Sequence, residues 1–149
     1  MKELINVMDD LLNVLDQLRE AAYKKQRALI ENNLEAIESA INDEERSLTE
    51  LQAIHKKRIK MLEEVTKKLS LNVNFKKFGE FLKAAKSKIG DESYTKLLEQ
   101  NNALGMLLGN VNLLNLQNRY LTEQARDFNR SLINELLVNN KKPIVDRKV

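Results

Sequence analysis

Cysteine and tryptophan are absent from this 149-residue sequence, proline occurs once and glycine four times. Without cysteine there is no disulfide framework and no thiolate-ligated metal, a usage that fits a cytosolic setting. So few turn formers exclude an all-β fold, because short strands need a turn signal about every 8–12 residues. Aromatic residues are 5% of the chain while 42% is apolar and 32% charged, which is a helical composition. No Gly-Lys dipeptide, G-x-G-x-x-G or G-x-S-x-G occurs, so phosphate-cradling loops and nucleophile elbows are missing. The lone histidine, His55, has Gln52 three residues before it and cannot supply the paired Glu-x-x-His ligands of a di-iron bundle. No spacing brings together a nucleophile, a base and an orienting group, so the reading is a non-enzyme without cofactor or metal.

The N-terminus lacks a signal peptide's apolar core. Lys2, Asp9, Asp10 and Asp16 are interleaved with leucines over Met1–Leu18, which makes an amphipathic helix. Its apolar seam is Leu4, Met8, Leu11, Leu15, Leu18, Ala22, Lys25 and Leu29, in alternating steps of four and three. A second helix, 33–69, repeats the spacing through Leu34, Ile37, Ile41, Glu44, Leu48, Leu51, His55, Arg58, Leu62, Val65 and Leu69. Asn32 with Glu35 three residues on has the pattern of a capping box, compatible with a sharp reversal or with one bent helix. Asn72, Val73 and Asn74 then interrupt the helical pattern. A short amphipathic helix, 75–89, carries three of the four phenylalanines on one face and five lysines on the other; it caps the bundle, with a membrane- or partner-binding face as the alternative. Gly90 suits a left-handed helix end and Asp91 a cap for a last helix, 91–137. Together these are an all-α fold: one elongated antiparallel bundle or coiled coil of three long helices and a short one over 1–137, followed by a flexible basic tail, 138–149.

The last helix contains the most unusual stretch. From Gln100 to Asn118 there is no charged residue, yet six asparagines, two glutamines, Gly105 and Gly109 are threaded between leucines. So many amides speak against stable membrane insertion, since each unsatisfied amide in hydrocarbon costs several kcal/mol. Two mid-helix glycines cost about 1 kcal/mol each relative to alanine. One seam reads Leu97, Asn101, Leu104, Leu108, Val111, Asn115, Asn118 and Thr122, with a second stripe of Leu98, Leu107, Leu114, Leu121 and Phe128 beside it. If one stripe faces the bundle the other faces outward, leaving apolar surface for a foreign helix. Asn115 and Asn118 are read equally as a buried register layer and as contacts to that helix. Basic runs at 56–60 and 76–88 are offset by acid at 35–50, which disfavours the alternative of a helical nucleic-acid-binding protein. A structural, self-associating coiled coil is the other alternative.

The N-terminal heptad helix has an Ala28-Leu29 step, the second helix opens on Leu34-Glu35 with the run Asp43-Glu44-Glu45-Arg46, and the last helix carries the pattern L-N-x-x-N-x-x-L at Leu114, Asn115, Asn118 and Leu121. In these elements the chain resembles the FlgN family of flagellar type III export chaperones. The resemblance implies a cytoplasmic binding protein whose clients are the hook-filament junction proteins FlgK and FlgL, held by their C-terminal helices and delivered to the export gate protein FlhA. The surface expected to hold the client is Leu104, Leu107, Leu108, Val111, Leu114, Asn115, Asn118 and Leu121. The tail, through Lys141, Lys142, Ile144 and Val145, is expected to dock on the gate, and self-association is expected when no client is bound.

Overall fold

Four helices account for almost the whole chain in the computed structural model, which describes the backbone of residues 1–148 and the side chains of residues 1–138. They are α1 (Lys2–Glu31), α2 (Leu34–Lys68), α3 (Phe78–Ala85) and α4 (Asp91–Lys148). The fold is all-α, as the composition requires, with three long helices and one short one.

The question of reversal or bend after α1 is settled by two asparagines. Asn32 is left-handed at φ 53, and the N–H groups of Asn32 and Asn33 turn back to the carbonyls of Leu29 and Ala28. Asn33 then caps α2, its Oδ1 accepting from the Ala36 N–H at 3.1 Å. The cap is therefore Asn33, not the Asn32 of the sequence pattern, because Asn32 is already used to terminate α1. The same device ends α2: Ser70 is left-handed at φ 51, and Ser70 and Leu71 N–H donate to Lys67 and Thr66 carbonyls.

α1 packs on both α2 and α4. Against α2 the direction is antiparallel, with Lys25 Nζ 3.2 Å from Glu44 Oε2. Against α4 it is parallel, since Ile5 lies beside Gln100 and Ala22 beside Asn118. Near the hairpin the two seams are made of small residues: Ala21, Ala22 and Ala28 on α1, Ala40 and Ser47 on α2. Small side chains let helix axes approach toward the close end of the 8–10 Å range. Ala40 and Ser47 thus take the places that the periodicity assigns to Ile41 and Leu48, and Leu48 is exposed.

α3 is shorter than the expected 75–89, because an Asn74 side chain accepting from the Lys76 N–H holds the preceding residues in a turn. It lies beside the far half of α2. Phe78 sits under the Arg58 guanidinium at 5.0 Å, and Lys88 Nζ donates to the Leu69 carbonyl at 2.7 Å. Phe78, Phe81, Leu82 and Ala85 are buried there with Leu4, Met8, Leu11, Leu15, Leu62 and Leu97, which is the main core of the molecule. Gly90 adopts φ +80, a conformation that favours glycine, and reverses the chain into α4. No helix among the described residues is long and apolar enough to cross a membrane.

Candidate functional site

Burial along α4 divides the expected binding surface into three parts. Leu97, Leu104, Val111 and Asn118, seven residues apart, are buried against the bundle. Leu107, Leu114 and Leu121, three residues after each of the last three, are half-buried and complete the seam. Leu108 and Asn115 are exposed. The stripe of Leu107, Leu114 and Leu121 therefore lies on the bundle side together with Leu104, Val111 and Asn118, while Leu108 and Asn115 of the first seam face outward. The sequence pairs each seven-residue row with the wrong neighbour, because an apolar residue stands on either side of it. Leu104, Val111 and Asn118 belong to the core and are not surface in this conformation.

Asn118 is fixed in the seam by its Nδ2 donating to the Ala22 carbonyl at 2.8 Å. Gln100 does the same near the other end, with Nε2 donating to the Ile5 carbonyl at 2.9 Å and to Asp9 Oδ1 at 2.7 Å. These two amides set the register of α4 on α1. Asn118 is thus the register layer, while Asn115 points away from it.

Beyond Leu121 the helix outruns its support. Gln26 of α1 meets Gln117 of α4 at 2.7 Å, and α1 ends five residues later at Glu31, level with about residue 122 for parallel helices of equal rise. From Thr122 to Val138 every side chain is exposed. That segment continues the inner seam through Ala125, Phe128 and Leu132 and adds Ile133, Leu136 and Leu137. A helix of about 25 Å thus projects from the bundle with its apolar residues uncovered.

A second, exposed side of α4 is also apolar. Met106, Leu113, Leu116 and Tyr120 are each more than half exposed, with Gly105 and Gly109 between them. The sequence reading did not single out Leu113, Leu116 and Tyr120, although their spacing of three and four marks one helical face. Among the described residues no group of three carboxylate or imidazole side chains is placed to hold a metal ion. One surface groove is formed by Gln26 and Ile30 of α1 with Leu116, Gln117, Tyr120 and Leu121 of α4. Lys141, Lys142, Ile144 and Val145, the expected gate-docking residues, lie outside the described side chains.

Compared with known proteins, the chain matches the model of one family, described as FlgN protein, over residues 1–145. No curated protein and no solved structure matches it.

Proposed function

Since the chain belongs to the FlgN family of flagellar export chaperones, we propose that it is a cytoplasmic chaperone that holds the C-terminal helices of the hook-filament junction proteins FlgK and FlgL along α4 and delivers them to the export gate protein FlhA. The observation that carries this reading is the projecting segment 122–138. It keeps the apolar spacing of a packed helix, and none of its side chains is covered by the described residues.

A client helix laid beside it continues the bundle by supplying the neighbour that α1 provides lower down, a helix-in-groove mode of recognition. Leu121, Phe128 and Leu132 meet the client in this arrangement, and the exposed Leu108 and Asn115 extend the contact toward the bundle. Half-buried Leu107 and Leu114 contribute only their outer edges. The tail containing Lys141, Lys142, Ile144 and Val145 is the part proposed to reach the gate.

Calorimetry with a peptide of the FlgK C-terminal helix tests the reading. The wild-type chain binds it, and Phe128→Asp with Leu132→Asp abolishes binding while far-UV helicity stays near wild type, because both side chains are exposed. Undiminished binding by the double variant removes the projecting segment from client capture. A fixed oligomer indifferent to the peptide marks the chain instead as a structural coiled coil.

A further inference from the structure

One exposed side of α4 reads nearly the same in both directions. Starting at Leu98 and stepping by four, three, four, three and four, it presents Leu98, Asn102, Gly105, Gly109, Asn112 and Leu116, a palindrome centred on residue 107. One more step of four at each end reaches Tyr94 and Tyr120. Such steps keep residues on one helical face. All six central residues are exposed. Tyr94 is half-buried beneath the Lys86 ammonium, 5.4 Å from its ring centre, and Tyr120 is exposed, its hydroxyl accepting from Gln124 Nε2 at 2.9 Å.

The glycines on this face have no explanation within the chain. A Cβ built on Gly105 or Gly109 meets nothing within 4 Å, so neither is needed for packing inside the molecule. Both lie in the interior of a helix, where glycine is less favourable than alanine. A glycine pair on an exposed helix face leaves room for another backbone to come close.

We propose that this face is a homodimer interface in which α4 of a second copy crosses antiparallel about Leu107. A twofold axis there sets Gly105 of one chain against Gly109 of the other, Asn102 against Asn112 and Leu98 against Leu116, each pair occurring twice. Only a second copy of this chain, running the opposite way, is guaranteed to repeat the pattern. The strip between Gln100 and Asn118 is free of charge, so two copies bring no like charges together over its length. The first charged residues outside it, Glu99 and Arg119, fall opposite Asn115 and Thr95. The facing asparagine amides donate and accept reciprocally, which favours this register over one shifted by a turn. At Leu116 this surface borders the groove that α4 makes with Gln26 and Ile30 of α1, while Gly105 and Gly109 stand clear of it; it shares no residue with the proposed client contact.

The test uses the full chain, whose lack of cysteine makes introduced thiols unambiguous. Sedimentation equilibrium shows a reversible dimer, and an equimolar mixture of the Asn102→Cys and Asn112→Cys variants oxidises to the 102–112 crosslinked dimer in preference to 102–102 or 112–112. Gly109→Leu and Leu116→Asp each weaken dimerisation by about tenfold or more. The exposed change Gly109→Ala raises the thermal midpoint of the dilute monomer by about 2–4 °C, because it removes a helix-interior glycine. Phe128→Asp with Leu132→Asp leaves the dimer unchanged. A monomer at 100 µM, preferential 102–102 crosslinking, or a dimer lost only in the Phe128→Asp, Leu132→Asp variant each overturns the proposal.

Discussion

The Asn118 amide donates to the carbonyl of Ala22 across 96 residues of sequence, and it does so from a buried position of the α1–α4 seam between apolar neighbours, as Gln100 does near the other end. Its Nδ2 is used while its Oδ1 is buried without a partner. A half-satisfied buried amide lowers stability and restricts register, since sliding α4 along α1 breaks the bond.

Asn118→Leu is accordingly expected to raise stability to urea by about 1 kcal/mol, because the unpaired oxygen disappears and the volume is kept. Asn118→Ala keeps neither bond nor volume and loses about 1–2 kcal/mol. The leucine variant also lets α4 shift on α1, seen as faster amide hydrogen exchange over 104–118. A destabilised leucine variant with unchanged exchange shows that the amide contributes net stability and no register.

Asn118 also illustrates how far the sequence could be read. The spans of α1 and α2, the turn at 32–33 and the fold class follow from heptad spacing and from asparagines that tolerate left-handed backbone, whereas α3 is shorter than the expected 75–89 and α4 runs past the expected end at 137 into the segment read as a flexible tail. The buried side of α4 does not follow, because Leu107 and Leu108, or Leu113 and Leu114, are adjacent leucines of equal hydropathy. What selects Leu107 and Leu114 is the position of α1, fixed through Gln100 and Asn118. The projecting segment was unreadable for a related reason: nothing in residues 122–138 records that α1 stops at Glu31.

Lys25 and Glu44 each interrupt an apolar seam, and they interrupt it opposite one another, 3.2 Å apart with both side chains largely covered. Removing one partner strands the other, so Lys25→Met alone is expected to cost about 1–3 kcal/mol. Lys25→Met with Glu44→Leu restores wild-type stability or exceeds it, because two charges no longer need desolvating. A double-mutant cycle in urea measures the coupling. Additive losses show that the ion pair has no energetic coupling.

Arg58 is buried in the core beside α3 and forms no ion pair among the described residues. Its Nε has no hydrogen-bond partner, and burial lowers its pKa from the usual arginine value. Stacking on Phe78 returns about 1–2 kcal/mol, comparable to the cost of one unpaired buried donor. Arg58→Met keeps the length and the ring contact without that donor, so it is expected to leave the unfolding free energy within about 0.5 kcal/mol of wild type or to raise it. By contrast Phe81→Ala, which empties a fully buried site in the same cluster, costs about 3–5 kcal/mol. A loss of similar size in Arg58→Met shows that the guanidinium makes a contact that its geometry in this structure does not account for.

Two truncations separate the roles of the last helix. Ending the chain after Leu121 removes no buried side chain among the described residues, the last such residue being Asn118. The thermal midpoint is therefore expected to fall by no more than about 2–4 °C, the shift that corresponds to 1 kcal/mol in a chain of this size. Client-peptide binding is lost with the projecting segment, since Phe128 and Leu132 go with it. Ending the chain after Asn140 keeps those residues and removes Lys141, Lys142, Ile144 and Val145, so peptide affinity stays at the wild-type value while secretion of the client through the gate declines. A large drop in midpoint for the first truncation shows that the segment packs on the bundle in solution and is not free to take a client. Normal secretion by the second removes the tail from delivery, and the gate must then recognise the bundle itself or the client it carries.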